Sequence, residues 1–279
     1  VHKLIKRAYG ASRMKSILGR IRVIDGEITE KNLGIGTRQF DRLCNTIDTV
    51  YHSAALCEFG TSLNKIRKIN VYGTKNVLDF ALNCKKNGQF DTLNHISTVA
   101  VAGNIGGIFY EDDLECHQEF NNSYERSKFE AEKLIKDYRN KGLSARIFRP
   151  SIIIGSSVTN EVDNFQMVYQ FLHILSLELY DTLPVNKSVR YGLVPVDYVA
   201  KAICLISSDG ESNKTYHLVN PNSVSVRFFI DVAHKYFGFK KPKLVSEKAY
   251  DYNLLSGFGK KVINEYFPYP QQFLERLNT

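Results

Sequence analysis

The sequence has no apolar run approaching the ~20 residues needed to cross a bilayer, and no signal-peptide pattern opens it. No membrane partner is therefore expected, and a cytoplasmic location is. The five cysteines, Cys44, Cys57, Cys84, Cys116 and Cys204, stand far apart without a CxxC pair, which argues against a disulfide framework or a zinc site. The seven histidines form no HExxH or similar pattern, so no metal is expected. A zinc finger, an RNP-like aromatic motif and an Arg-rich tract are all missing, which excludes the common nucleic-acid modules. The net charge of +8 does attract anions. Its basic residues alternate with acidic ones, as in Glu130-Ala131-Glu132-Lys133, the pattern of a solvated helix face. Phosphorylated small molecules and an acidic protein partner fit that charge equally well.

What is present is an alternation of strand and helix. Ile21–Ile24, Val50–Ala54, Leu93–Ser97 and Ala145–Pro150 have strand character. Between them, Asn64–Asn83 carries Ile66, Ile69, Val77, Leu78 and Leu82 at helical spacing, and Tyr124–Tyr138 carries Phe129, Leu134, Ile135 and Tyr138. Strands separated by helices predict a doubly wound parallel sheet, a Rossmann-type α/β fold. After Gly155 the rhythm changes: helices are predicted at Phe165–Leu179, Val196–Ile206 and Phe228–Tyr236, a polar loop at Pro184–Arg190 and a strand at Thr215–Val219. The tail Tyr250–Thr279 is aromatic-rich and partly helical in pattern. The organisation expected is a dinucleotide-binding portion over 1–155, then sheet-completing strands with a smaller, mostly helical substrate lobe over 156–279.

Tyr124 and Lys128 stand at i and i+4, so a helix projects phenol and ammonium from one face. A neighbouring cation favours an ionised phenol, which can then exchange a proton with a carbonyl or alcohol oxygen near neutral pH. Alone, this spacing also describes an ordinary snorkelling surface pair. Upstream, His95-Ile96-Ser97-Thr98 reads as a strand finishing in two hydroxyls, and parallel sheets bind ligands at the carboxyl ends of their strands. Thr98 there is placed to donate to a reacting oxygen, or simply to cap the turn.

Val50-Tyr51-His52-Ser53-Ala54-Ala55, Asn70-Val71-Tyr72-Gly73-Thr74, Ile96-Ser97-Thr98, Tyr124-x-x-x-Lys128 and Phe148-Arg149-Pro150 occur in an order that resembles the extended short-chain dehydrogenases/reductases. Gly26-Glu27-Ile28-Thr29, Asn32-Leu33-Gly34-Ile35, Val194 to Ala200 and Tyr216 to Asn220 are similar to the thioester reductase domains that end nonribosomal peptide and polyketide synthases, relatives of carboxylic acid and fatty acyl-CoA reductases. The resemblance implies that Thr98 polarises a carbonyl, Tyr124 donates the proton, and Lys128 lowers the tyrosine pKa and holds the nicotinamide ribose. It implies Ser97 as a neighbouring hydroxyl, Ser53, Ala54 and Ala55 against the cofactor, and Pro150, Ser151 and Ile152 lining the nicotinamide pocket. Glu27, where the family usually has Asp, and Ile28 would flank the adenine, and Asn70 would steady the site.

Val1–Arg7 reads as the family's second strand with a basic end, so that Arg7 could pair with a 2′-phosphate and favour NADP(H). No G-x-x-G-x-x-G phosphate loop occurs anywhere in the chain. About thirty preceding residues, one strand–turn–helix unit, are expected to supply it. The function expected is NADPH-dependent release of a thioester from a phosphopantetheine-bearing carrier protein as an aldehyde, or further as an alcohol. The alternatives are an extended-family enzyme acting on a nucleotide sugar or small alcohol, and a non-catalytic dinucleotide-sensing module.

Overall fold

The computed structural model describes residues 2–58, 61–162, 165, 168–178, 181–184 and 190–245. In chain order these hold α1 (His2–Leu18), α2 (Thr37–Cys44), β1 (Thr49–His52), α3 (Leu63–Arg67), α4 (Thr74–Asn87), β2 (Thr92–Ile96), α5 (Ser123–Asn140), β3 (Ala145–Pro150) and β4 (Ile152–Ile154). There follow α6 (Val168–Ser176), β5 (Thr182–Pro184), β6 (Arg190–Tyr191), β7 (Leu193–Pro195), α7 (Val196–Asp209), β8 (Thr215–Leu218), β9 (Val224–Ser225), α8 (Val226–Phe237) and β10 (Lys243–Val245). The predicted tail Tyr250–Thr279 lies outside the described residues. Among the described residues no helix is long and apolar enough to cross a membrane.

The central sheet is parallel, in the order β1-β2-β3-β8. Side chains alternate across a strand, and β3 divides accordingly. Ala145 and Ile147 join Leu93 in a core with Val77, Leu78 and Ala81 of α4 and Ile135 and Tyr138 of α5. Phe148 turns the other way, to Val194, Val199 of α7 and Leu218. The sheet is thus covered on both faces, the doubly wound arrangement its sequence predicts. Beyond it, α6 and α8 enclose a second core with Leu183 and Phe239, beside the short pairs β5–β10 and β6–β9.

Two predicted strands are corrected. Val1–Arg7 is not a strand, since residues 2–18 form α1, interrupted at Gly10 (φ 74°). Its Lys, Leu, Arg, Ala and Met content favours helix, and the segment lacks period-two alternation. Arg7 therefore sits within a helix, without the strand end that made it a phosphate ligand, and its side chain lies outside the described residues. Ile21–Ile24 forms no strand, and Val23 is 72% exposed. A strand needs a ladder partner, and none reaches this segment among the described residues.

Candidate active site

Because β1, β2 and β3 run parallel and adjacent, their carboxyl ends deliver three segments side by side: the loops Ser53-Ala54-Ala55 and Ser97-Thr98, and Ser151-Ile152 at the junction with β4. Ser53 and Ala54 are exposed and Ala55 half-buried, which leaves small side chains at the rim of the sheet. Ser151 donates its backbone N–H to Leu218 and Ile152 to Gly192, continuing β3 into β4 beyond Pro150. The buried Ser151 hydroxyl has no partner among the described residues.

Helix α5 starts beside these loops. Asn122 caps it by accepting from the Glu125 backbone N–H (3.0 Å), and the buried Glu125 carboxylate reaches back to Asn121 N–H (2.9 Å). Tyr124 thus lies in the first turn, half-buried. One turn on, Lys128 is buried and donates to the Ile96 carbonyl (2.8 Å), two residues before Thr98. Thr98 caps the short helical turn Val99–Ala102 by accepting from Ala100 N–H (3.2 Å). Burial brings the Lys128 ammonium down to about 8, against the opposing pull of Glu132 and Cys57.

Asn70 ties the loop after β1 to α5. Its amide donates to Leu56 O (3.0 Å) and Ser127 Oγ (2.9 Å), and its carbonyl accepts from Leu56 N–H (2.7 Å). It sits in a π-helical turn, Lys68–Gly73, an irregularity often found at functional sites. Ile28 packs on Gly73, where a Cβ would stand 2.8 Å from its Cδ1, and the Ile28 carbonyl accepts from Asn76. Glu27 is exposed; two hydrogen bonds from Thr29 lower its pKa.

Sequence reasoning missed the polar core beneath these loops. Leu93, His95 and Ser97 share the α5 face of β2. Ser97 donates its hydroxyl to Glu132, which also receives Arg149 through Nη2 (2.7 Å) and Nε (3.1 Å), with both charged side chains almost wholly buried. Arg149 donates further to the carbonyls of Tyr110, Glu111 and Asp113 and stacks over Phe109. This latches the loop between Thr98 and α5 onto the sheet. The signal was the Phe148-Arg149-Pro150 tripeptide, which carries the second of two arginines in a strand whose other residues are apolar.

Gly103 closes the turn that Thr98 opens. Its φ of 59° with ψ of −135° is a conformation reserved for glycine, and a Cβ would strike the Glu119 carbonyl oxygen. Gly103→Ala is expected to cost about 2–4 kcal/mol in urea unfolding, combining backbone strain with the clash. A loss below about 0.5 kcal/mol would mean that the loop re-forms without cost.

Residues 2–203 match the NAD-binding family described as male sterility protein. A linear gramicidin synthase of Brevibacillus parabrevis is 28% identical over 208 residues, 73% of this chain and 4% of that protein. The L-2-aminoadipate reductase of Eremothecium gossypii, in its large subunit, is 29% identical over 252 residues, 85% of this chain and 18% of that protein. The chain thus spans only a small part of these relatives. Among solved structures, the terminal R domain from the myxalamid PKS-NRPS biosynthetic pathway superposes with a TM-score of 0.71 at 28% identity, over 83% of this chain and 58% of that one.

Proposed function

The chain belongs to the male sterility protein family of NAD-binding domains, and from that premise we propose that it reduces a carrier-bound acyl or peptidyl thioester to an aldehyde. The observation that carries this reading is the grouping at one sheet end of Thr98, the first turn of α5 with Tyr124, and a buried Lys128 joined to the Ile96 carbonyl. The resemblance to a terminal R domain and to L-2-aminoadipate reductase supports the substrate class.

The residues present suit the nicotinamide end of a dinucleotide. Ser53, Ala54 and Ala55 leave room at the rim, and the Lys128 ammonium suits a ribose hydroxyl. Arg7 no longer argues for a 2′-phosphate, so NADP(H) over NAD(H) rests on the thioester reductase resemblance. When bound, the reduced dinucleotide supplies the hydride for the thioester carbon. The Thr98 hydroxyl and Tyr124 phenol donate hydrogen bonds to the thioester oxygen and hold the oxyanion as charge develops. Lys128 favours the ionised phenol once Tyr124 has given up its proton. The hemithioacetal then expels the phosphopantetheine thiol and leaves the aldehyde.

The test is to give the purified protein NADPH and an acyl-phosphopantetheine thioester and to follow the near-ultraviolet absorbance of the reduced nicotinamide. One equivalent consumed per thiol released marks the aldehyde as product, and two mark the alcohol. Absence of turnover with every thioester offered, whether free or carrier-bound, would overturn the reading.

A further inference from the structure

His95 is an imidazole that the proposed reduction leaves without a part. It is 1% exposed on β2, its Nε2 lies 3.3 Å from Lys128 Nζ, and its Nδ1 has no hydrogen-bond partner among the described residues. Its ring lies 5.1 Å from that of His52, the residue in register on β1. The second imidazole is fixed in its tautomer. Thr74 donates its hydroxyl to the Asn70 carbonyl (2.7 Å), so it can only accept from His52, which must carry its proton on Nε2 (2.9 Å).

Among the described residues, the charged and titratable groups that act on His95 are Lys128 and Arg139 of α5 and His52 of β1; Glu132 and Cys57 act on Lys128. Burial, with Lys128 nearby, holds His52 down to about 4 and His95 well below its ordinary range. Both rings are therefore neutral at working pH. A neutral His95 with its proton on Nδ1 presents Nε2 as an acceptor. An ammonium has three hydrogens, of which the Ile96 carbonyl and His95 Nε2 occupy two.

We propose that His95 is a positioning residue, whose Nε2 accepts from the Lys128 ammonium and holds it charged at the end of β2, with one hydrogen left for the active site. The inference rests on the reductase reading for its consequence in turnover and on the Lys128–His95 geometry for its existence. Loss of the acceptor destabilises the ammonium, so the lysine surrenders its proton at lower pH. His95→Phe should move the alkaline limb of kcat/KM downward by about one pH unit, roughly a fivefold loss at pH 8. His95→Gln carries an amide oxygen near the place of Nε2 and should restore the limb.

Two spectroscopic measurements need no substrate. In the wild type, ¹⁵N shifts of His95 should report the Nδ1–H tautomer. The ¹³Cε titration of Lys128, assigned against Lys128→Met, should fall with His95→Phe and return with His95→Gln. An Nε2–H tautomer overturns the proposal even where the Phe variant does not fold. So does a Phe variant that turns over with an unmoved limb and an unmoved Lys128 titration, or a Gln variant that behaves like Phe. If no thioester is reduced but the Lys128 titration follows the His95 variants, the reductase reading falls and the positioning role stands.

Discussion

Tyr124→Phe is expected to lower kcat for thioester reduction by about 10²- to 10⁴-fold, the range contributed by a positioned general acid. The substitution removes one oxygen from a half-buried ring, while the Asn122 and Glu125 cap that starts α5 is made by other groups. Binding of the reduced cofactor should stay close to wild type, since the Lys128 contacts to Ile96 and His95 remain. The separation of effects is the useful part. A Phe variant within about threefold of wild type in kcat would remove Tyr124 from proton transfer and leave Thr98 or solvent as donor.

Arg149→Met should unfold the protein more easily than any substitution at the rim of the site. It strands the fully buried Glu132 carboxylate without its countercharge, for which about 3–5 kcal/mol is expected. It also removes one donor from each of the carbonyls of Tyr110, Glu111 and Asp113, so the loop following Thr98 should loosen with the core. Urea unfolding gives the loss directly. Combining it with Glu132→Leu removes the orphaned charge and should recover a large part of it, because a buried ion pair is often worth no more than an apolar pair of similar volume. The Glu111 and Asp113 carbonyls still lack the Arg149 donor, while Tyr110 keeps the Asp113 N–H (3.1 Å), and this loss keeps the double variant below wild type. If the single variant lost under about 1 kcal/mol, water must reach Glu132 and the pair is not the closed unit it looks.

The buried ion pair bears on how the fold was read. Ala145–Pro150 was legible as a strand from its β-branched and aromatic content even with two arginines inside it. That one of them, Arg149, would be almost wholly buried was not, because only the approach of Glu132 on α5 makes such burial tolerable. The start of α5 was more legible than the pattern of apolar residues alone suggests: Asn122-x-x-Glu125 is a capping signature ahead of the apolar stripe, and it places Tyr124 in the first turn. Ile21–Ile24 shows the opposite failing, since strand composition is a local property and strand formation is not.

Tyr124 and Lys128 return the same contrast at the site. Their shared helical face follows from spacing alone, as does the placement of Thr98 just beyond a strand, because helical and strand periods are properties of the backbone. The sequence by itself therefore determined a parallel α/β sheet and the outline of a candidate site at its carboxyl edge. Only the tertiary structure decided what surrounds Lys128. It set His52 in register with His95, brought both under α4 and α5, and turned an exposed-looking lysine into a buried one with a defined acceptor. The physical reason is that burial and pairing depend on neighbours far away in the chain, whereas periodicity depends on neighbours within a turn.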